Sequence, residues 1–214
     1  MILAIYGTGG AGCNALNDAL LMEKYENIIF INDYLNIKSF KNCELYTFDD
    51  FIKKYHPNQC EIYIAMGDPA NREKIYLKCK KNKYHLATII HPSVKIGENV
   101  IIGEGCHIRP FVDIQNNVKI GNNSLIEVSS IICENVVVGT DCMIASKCII
   151  LSNATLKNKV FIGMKSIINS NLIIDMGAII AMGSVVLKNI EKNSLYSGNP
   201  CRKYGNAVNY KVFH

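Results

Sequence analysis

Residues 94–126 read VKIGENVIIGEGCHIRPFVDIQNNVKIGNNSLI and begin a six-residue repeat that continues to residue 189. Every sixth residue from Ile96 is aliphatic through sixteen repeats: Ile96, Ile102, Ile108, Ile114, Ile120, Ile126, Ile132, Val138, Ile144, Ile150, Leu156, Ile162, Ile168, Ile174, Ile180 and Val186. The residue two positions earlier is small or short in every repeat except at Leu172. A helix repeats near 3.6 residues and a half-buried strand near 2, so neither fits a period of six. The pattern predicts a chain that turns a corner every six residues and points one aliphatic side chain inward from each short strand.

Such arrays form parallel β-helices, in which each coil buries its inward residues only against its neighbours. With three hexads to a triangular coil, the repeats predict a little over five coils. An ordinary β-sandwich is the alternative, but it does not require sixteen repeats in register. The Ile-Gly hexads that begin at Ile96, Ile102, Ile120 and Ile162 resemble those of the left-handed hexapeptide-repeat acyltransferases. That resemblance implies the left hand, since parallel crossovers are otherwise right-handed.

The composition is that of a globular protein with one large or two small domains: 214 residues, 49% hydrophobic and 19% charged. The apolar run at residues 1–6 is too short for a signal peptide or a membrane span, so no membrane association is expected. Three of the nine cysteines, Cys106, Cys142 and Cys148, fall on the small inward position of the repeat, where free cysteine behaves as a small hydrophobe. We therefore predict a reducing, cytoplasmic location.

The net charge of +5 is concentrated near the C-terminus, where residues 190–214 carry four basic side chains and one acidic side chain. A nucleic-acid-binding protein would show a broader basic surface, so no nucleic-acid partner is expected. A basic tail suits contact with a phosphorylated cofactor.

The N-terminal residues predict a nucleotide-binding turn between a strand and a helix. An apolar run at residues 2–6 is followed by Gly7, Gly9 and Gly12 in the Gly-x-Gly-x-x-Gly pattern, and then by apolar residues at helical spacing. These glycines let backbone amides approach a phosphate at the helix N-terminus. A second apolar strand ends in Asn32-Asp33, where an acidic side chain can meet a ribose or a base. The alternative is a glycine turn that only packs the helix close to the sheet.

The predicted α/β unit is only about 90 residues long, which is half of a full dinucleotide fold. We therefore expect a mononucleotide-linked ligand rather than NAD. The extended conformation that Pro92 imposes on the residue before it marks a junction. The predicted organisation is a half-Rossmann domain at 1–90, a β-helix at 91–189 and a C-terminal segment at 190–214.

The segment Gly198-Asn199-Pro200-Cys201-Arg202-Lys203 resembles the Gly-x-Pro-Ala-Lys segment that ends hexapeptide acyltransferases and lies against coenzyme A. The resemblance implies that Pro200, Arg202 and Lys203 contact acetyl-CoA, with modest electrostatic attraction because such contacts are solvated. A charged segment that caps the last coil is the alternative.

The order of parts resembles the bacterial sugar acyltransferases, which include sialic-acid O-acetyltransferases and N-acetyltransferases of UDP- or dTDP-linked 4-amino-4,6-dideoxy sugars. The resemblance implies a homotrimer with active sites between neighbouring β-helices and no metal. It places the nucleotide on Gly9, Gly10, Ala11, Asn32, Asp33 and Gly67. It places acetyl-CoA along the β-helix near Met143, Met164 and Met182.

The family's histidine base is missing from this chain. The hexad register aligns Ser129-Ser130-Ile131-Ile132-Cys133-Glu134 with the family's base segment, so Glu134 occupies the base position and Met143 that of a second histidine. A general base contributes about 10²–10⁴ in rate, which a hydroxyl nucleophile needs more than a neutral amine does. Glu134 can collect the proton from an amine, although a solvated corner residue is the alternative for it. The resemblance assigns the backbone N–H of Ser152 to stabilise the oxyanion.

Three functions remain open from the sequence: an acetyl-CoA-dependent N-acetyltransferase of a nucleotide-linked amino sugar, a sialic-acid-type O-acetyltransferase, and an inactive trimer that binds a nucleotide sugar. The missing histidine favours the first. His107, the only histidine inside the repeats, is expected to be an exposed structural residue on an outward position.

Overall fold

The computed structural model describes residues 1–35, 37–67 and 69–207, so that residues 208–214 of the predicted C-terminal segment lie outside the described residues. The chain divides into two compact units: the first comprises Met1–Pro92 and the second begins at Ser93. In the described part of the chain, the structure contains no helix that is long and apolar enough to span a membrane.

The first unit is an α/β sandwich whose sheet has the order β3-β4-β2-β1-β5-β6. Strands β4, β2, β1, β5 and β6 run parallel to their neighbours, and β3 pairs antiparallel with β4. Its elements are β1 (Ile2–Tyr6), α1 (Gly10–Leu21), β2 (Asn27–Ile31), β3 (Ser39–Phe40), β4 (Cys43–Tyr46), α2 (Phe48–Lys54), β5 (Cys60–Ile64), α3 (Pro69–Lys81) and β6 (His85–Leu86). A further short strand, β7 (Ile89–Ile90), follows β6 and is separate from it.

Alternating side chains of β1 build a core on each side of this sheet. Leu3 and Ile5 pack with residues of α1, including Ala15 and Leu16. On the opposite side, Ala4 packs with α2 and α3 in a cluster that includes Phe48, Phe51 and Cys79. The sheet is therefore covered by helices on both faces, as buried parallel strands require.

The second unit is a parallel β-helix of sixteen two-residue strands, one for each predicted hexad. They are β8 (Lys95–Ile96), β9 (Ile101–Ile102), β10 (His107–Ile108), β11 (Asp113–Ile114), β12 (Lys119–Ile120), β13 (Leu125–Ile126), β14 (Ile131–Ile132), β15 (Val137–Val138), β16 (Met143–Ile144), β17 (Ile149–Ile150), β18 (Thr155–Leu156), β19 (Phe161–Ile162), β20 (Ile167–Ile168), β21 (Ile173–Ile174), β22 (Ile179–Ile180) and β23 (Val185–Val186).

Each strand from β8 to β20 pairs with the strand eighteen residues later, which divides the sixteen strands among three faces. Face 1 consists of β8, β11, β14, β17, β20 and β23, face 2 of β9, β12, β15, β18 and β21, and face 3 of β10, β13, β16, β19 and β22. The corners between them are called corner 1–2, corner 2–3 and corner 3–1. Two strands follow the coils: β24 (Ser194–Ser197) pairs with β22, and β25 (Arg202–Asn206) pairs antiparallel with β24.

The predicted inward aliphatic residues form the core of the β-helix. Fourteen of the sixteen are buried, and the exceptions are Ile96 and Ile102 in the first coil. Ile96 is 45% exposed because no earlier coil of the repeat packs over it. Cys106, Cys142 and Cys148 are fully buried at the small inward position, as predicted. All nine cysteines lie in the described part of the chain and are free thiols.

Three of the four serines at this inward position hydrogen-bond to the carbonyl fifteen residues later, in the next coil. The Oγ atoms of Ser124, Ser130 and Ser166 donate to Gly139, Ala145 and Ala181 at 2.9, 3.0 and 3.1 Å. These bonds satisfy groups that would otherwise be buried without a partner, which carries a large cost. The position therefore selects small side chains that are apolar or able to reach this carbonyl.

The prediction of an exposed His107 is wrong, because its residue is only 2% exposed. His107 points outward from face 3, but other outward residues of that face are also buried, Leu125 at 9%, Met143 at 8% and Ile179 at 7%. The hexad register fixes the direction of a side chain, whereas it carries no information on what covers a face.

Candidate active site

The glycine turn of the first unit has two structural glycines and two open ones. A Cβ on Gly12 would lie 2.1 Å from the carbonyl oxygen of Gly7, so α1 approaches β1 as closely as only glycine permits. Gly7 has φ +123°, which also favours glycine. In contrast, a Cβ on Gly9 or Gly10 would meet no atom within 4 Å. Because no side chain caps α1 at Gly9, its first amides can receive an anionic ligand.

Asn32 ties the glycine turn to the loop after β2. Its Nδ2 donates to Oγ1 of Thr8 at 2.8 Å, and its Oδ1 accepts from the backbone N–H groups of Tyr34 and Leu35 at 2.8 and 3.2 Å. The predicted ligand residue Asn32 thus links the glycine turn to the loop after β2, and its Nδ2 retains a second hydrogen for donation.

Asp33 joins three elements of the first unit. Its carboxylate accepts from the hydroxyl of Tyr6 on β1, from the N–H of Phe48 at the start of α2 at 2.7 Å, and from Nζ of Lys78 on α3 at 3.1 Å. Burial raises the pKa of Asp33, but the bonds from Tyr6, Phe48 and Lys78 together hold it below its ordinary value of 3.8. The ionised carboxylate of Asp33 therefore links β1, α2 and α3, and it is also the candidate group for contact with a ribose or base.

A pocket of about 270 Å³ opens beside Asp33. Its walls combine aromatic, apolar, amide, acidic and basic side chains, contributed by Tyr6, Asp33, Tyr34, Met66, Asn71, Lys74 and Ile75. Such a mixture suits a polar ligand with a flat ring, because aromatic walls can stack on the ring while polar groups orient it. The predicted residue Gly67 directly follows Met66 in the pocket wall.

The β-helix brings Glu134 and Ser152 together at corner 1–2, one coil apart. The carbonyl of Glu134 accepts from the N–H of Asn153 at 3.0 Å, which fixes the stacking of the two turns. Glu134 is exposed. Within the described residues, the backbone N–H of Ser152 makes no hydrogen bond, whereas the equivalent N–H of Glu98 is capped by Oδ1 of Asn116 at 2.8 Å. This corner can therefore offer both a carboxylate and an open backbone donor.

An asparagine ladder beside this site was not recognised in the sequence, although asparagines recur every eighteen residues from Asn99 to Asn189. Side chain bonds from Nδ2 to Oδ1 link Asn99 to Asn117, Asn117 to Asn135 and Asn135 to Asn153, at 3.2, 3.2 and 3.1 Å. All four have positive φ, from 56° to 61°, a conformation that asparagine tolerates better than most residues. The asparagine ladder is defined as Asn99, Asn117, Asn135 and Asn153.

Cys133 precedes Glu134 but is poorly suited to act as a nucleophile. Burial raises the pKa of its thiol, and the negative charges of Glu134 and Asp113 raise it further. The reactive thiolate is therefore disfavoured at this position.

The three methionines predicted near acetyl-CoA separate into two places. Met164 and Met182 lie one coil apart at corner 3–1, where they are 47% and 72% exposed. Their backbone N–H groups make no hydrogen bond within the part of the chain that the structure describes. Met143 instead lies on face 3, between Leu125 and Phe161, and is buried. The structure therefore does not bring Met143 to the same corner.

The predicted basic residues of the C-terminal segment lie on or beside β25. Lys203 forms an ion pair with Glu191 at 2.6 Å, and Arg202 is exposed and donates to the carbonyl of Cys201 at 3.1 Å. Pro200 precedes β25 and is exposed. Among the described residues, no group of three His, Cys, Asp or Glu side chains could hold a metal ion.

Comparisons with known proteins identify the same combination of parts. A family model described as the PglD N-terminal domain matches residues 2–79. The structure of WeeI from Acinetobacter baumannii AYE is 26% identical with a TM-score of 0.87, covering 95% of this chain and 100% of that one.

Two further solved structures share the fold. PerB from Caulobacter crescentus, in complex with CoA and GDP-perosamine, is 19% identical with a TM-score of 0.86, covering 96% of this chain and 98% of its own. The acetyltransferase domain of PglB from Neisseria gonorrhoeae FA1090, in complex with acetyl coenzyme A, is 22% identical with a TM-score of 0.63, covering 95% and 98%. The likeness extends over both units.

Proposed function

We infer that this chain, which belongs to the bacterial sugar acyltransferases with a left-handed β-helix, is an acetyl-CoA-dependent N-acetyltransferase. The proposed acceptor is the amine of a nucleotide-linked amino-dideoxy sugar, a dTDP- or UDP-4-amino-4,6-dideoxyhexose used in surface glycan synthesis. The observation that carries this proposal is the arrangement at corner 1–2. There Glu134, in place of the expected histidine base, and the open N–H of Ser152 lie on adjacent coils.

The first unit supports a nucleotide-linked acceptor. The open glycines Gly9 and Gly10, followed by Ala11 in α1, present backbone amides that suit a diphosphate. The pocket beside Asp33 offers aromatic and polar walls to the nucleoside. Asn32 donates to Thr8 in the glycine turn and directly precedes Asp33, while Gly67 directly follows Met66 of the pocket wall. We therefore propose that the six predicted residues line one nucleotide site.

Corner 1–2 suits attack by an amine on a thioester. The neutral nitrogen forms a bond to the carbonyl carbon, and the carbonyl oxygen gains negative charge, which the Ser152 N–H stabilises in this proposal. Re-formation of the C=O bond breaks the C–S bond, and the departing sulfur takes up the proton that the nitrogen loses. Glu134 carries that proton, directly or through water, which is a smaller demand than deprotonating a hydroxyl.

Corner 3–1, with Met164 and Met182, suits the binding of the acyl donor. Open N–H groups at Met164 and Met182 can donate to the amide carbonyls of a pantetheine arm, and their exposed side chains offer it apolar contact. Pro200, Arg202 and Lys203 would contact the nucleotide end of the donor. For Lys203, the carboxylate of Glu191 and the phosphates of the donor would compete for the same ammonium group.

We propose a homotrimer, because these groups occupy opposite edges of face 1. Glu134 and Ser152 lie at corner 1–2, whereas Met164 and Met182 lie at corner 3–1. Partly or fully exposed aliphatic residues cover the outward side of face 1 between the corners: Ile131, Ile149, Ile167 and Val185. A head-to-tail interface that closes into a ring brings one protomer's corner 1–2 against its neighbour's corner 3–1. We expect the reaction to take place in the cytoplasm, where acetyl-CoA is made and the nine free thiols persist.

The direct test is acetylation measured with acetyl-CoA and a panel of UDP- and dTDP-linked 4-amino sugars, with sialic acid as the hydroxyl acceptor. We expect turnover with at least one amino sugar and none with sialic acid. The absence of turnover with every amino sugar would overturn the proposal. Calorimetry then distinguishes an inactive binding protein, which would bind a nucleotide sugar but not acetyl-CoA.

A further inference from the structure

The asparagine ladder ends beside the open N–H of Ser152. Each bond of the ladder runs from Nδ2 of one residue to Oδ1 of the next, so the donors all point toward the C-terminal coils. Asn153 is the last member, and its Oδ1 accepts from Asn135. Within residues 1–35, 37–67 and 69–207, its Nδ2 makes no hydrogen bond, and Asn171 in the next coil does not extend the ladder.

The direction of the ladder strengthens this last donor. An amide that accepts a hydrogen bond on its oxygen becomes a better donor at its nitrogen, and the effect accumulates along a chain of such bonds. Asn153 has three ladder residues behind it. Its amide group is also held in place by Asn135, so little reorganisation is needed for it to act on a ligand.

The position of Asn153 is fixed on both sides by the coil. Its backbone N–H donates to the carbonyl of Glu134 at 3.0 Å, and it directly follows Ser152 in the chain. The turn at Ser152 and Asn153 therefore carries two open donors, the backbone N–H of Ser152 and the Nδ2 of Asn153. It is also hydrogen-bonded to Glu134, the candidate proton acceptor. No other turn in the described part of the β-helix combines a ladder end with Glu134.

We propose that Asn153 is a catalytic residue whose Nδ2 donates to the thioester carbonyl oxygen together with the Ser152 N–H. This inference rests on the proposed acyl transfer and adds a second donor to it. As the amine nitrogen bonds to the carbonyl carbon, the oxygen takes the π electrons, and both donors stabilise the resulting charge. When the C–S bond breaks, the C=O bond re-forms and the two hydrogen bonds weaken again. No reactant other than the amine and the acyl thioester is needed.

The test compares Asn153→Gly with Asn99→Gly in the full chain. Glycine tolerates positive φ at both positions, and each substitution removes one end of the ladder. We expect Asn153→Gly to lower kcat about 100-fold, as loss of one oxyanion donor does, with the KM for acetyl-CoA nearly unchanged. Asn99→Gly, which lies three coils away from Asn153 along the ladder, should keep kcat within about twofold. An equal fall in both variants, or none in Asn153→Gly, would overturn the proposal.

Asn153→Asp separates a donor from an acceptor at this position. The carboxylate keeps the size of the side chain and can accept from Asn135, but it cannot donate. We expect kcat to fall at least as far as in Asn153→Gly. Wild-type activity in Asn153→Asp would show that the position does not act as a donor.

Infrared difference spectroscopy with acetyl-CoA labelled with ¹³C at the acetyl carbonyl distinguishes failure of this inference from failure of the proposed function. A hydrogen bond from Asn153 lowers the carbonyl stretching frequency in the wild type, and Asn153→Gly should move it back toward the value in water-free solvent. If acetyl-CoA binds and the two spectra coincide, this inference fails alone. If acetyl-CoA does not bind the wild type, the proposed function fails and this inference fails with it.

Discussion

Glu134 and Ser152 are eighteen residues apart, and this spacing alone places them on adjacent coils at one corner. The consequence for chemistry depends on the acceptor, because an amine and a hydroxyl hold their protons with very different strength. Glu134 occupies the position at which the resemblance to the sugar acyltransferases implies a histidine base, so this residue is expected to affect O-acylation more than N-acylation.

Glu134→Gln is expected to lower kcat with an amino-sugar acceptor by about 10-fold or less, because the neutral amine attacks without a strong base. Steady-state kinetics of the wild type and the variant measure this directly. Glu98→Gln is the matched control, since Glu98 occupies the same corner two coils earlier and is expected to leave kcat unchanged. A loss beyond about 10³ would identify Glu134 as an essential base.

Asp33→Asn is expected to destabilise the first unit in a pH-dependent manner. The pKa of Asp33 is lowered in the folded protein, so its contribution to stability is complete above the ordinary value of 3.8 and is lost as the pH falls below it. Urea denaturation at pH 7 should therefore separate the wild type from the variant, and the two should converge as the pH falls through the lowered pKa of Asp33. Asp49→Asn, which changes an exposed carboxylate of α2, serves as the control. A difference that is independent of pH would contradict this role for the charge.

At the scale of elements, glycines after the inward aliphatic residues let one coil pack on the next. A Cβ on Gly139 would lie 2.5 Å from Oδ1 of Asn158 and 2.7 Å from its backbone nitrogen. The side chain could move, but the backbone atom could not. The Ile-Gly pair in the hexads is therefore a packing requirement at these turns.

Gly139→Ala is expected to lower the free energy of unfolding by about 1–3 kcal/mol, as overpacking of a well-packed region does. Thermal unfolding followed by circular dichroism tests this. In Gly205→Ala the added methyl meets no atom within 4 Å, so this variant is the control. Equal midpoints for the two variants would show that the coils can separate locally.

The repeats were predictable because each inward residue meets only the same position of neighbouring coils, so the period carries the fold. The spacing also placed Glu134 and Ser152 at one corner. Burial of His107 was not predictable, because it depends on what packs over face 3. The short elements from β3 to α2 were missed, since residues 39–54 show no sustained period. The separation of Met143 from Met164 follows from the hexad register, whereas the resemblance to the family places both near acetyl-CoA.

At the scale of the whole molecule, the apolar outward side of face 1 is the surface most suited to a second copy of the chain. Ile149→Arg places a charge in the middle of this surface, which is costly to desolvate in an interface. We expect sedimentation to change from a trimer to a monomer, with activity lost in parallel. Leu20→Arg changes an exposed residue of α1 that is 59% accessible, and it should leave the assembly intact. A trimeric Ile149→Arg would contradict the proposed interface.

The exposure of Ile96 in the first coil predicts where the β-helix begins to unfold. A coil inside the stack is held from both sides, while the first has a repeat neighbour on one side only, and β24 continues the sheet beyond the last. Local unfolding should therefore start at β8 and proceed one coil at a time toward the C-terminal coils. Deuterium uptake should be fastest in the amides of β8 and β9 and fall stepwise toward the middle coils. Uniform uptake along the stack would instead mean that the coils open together.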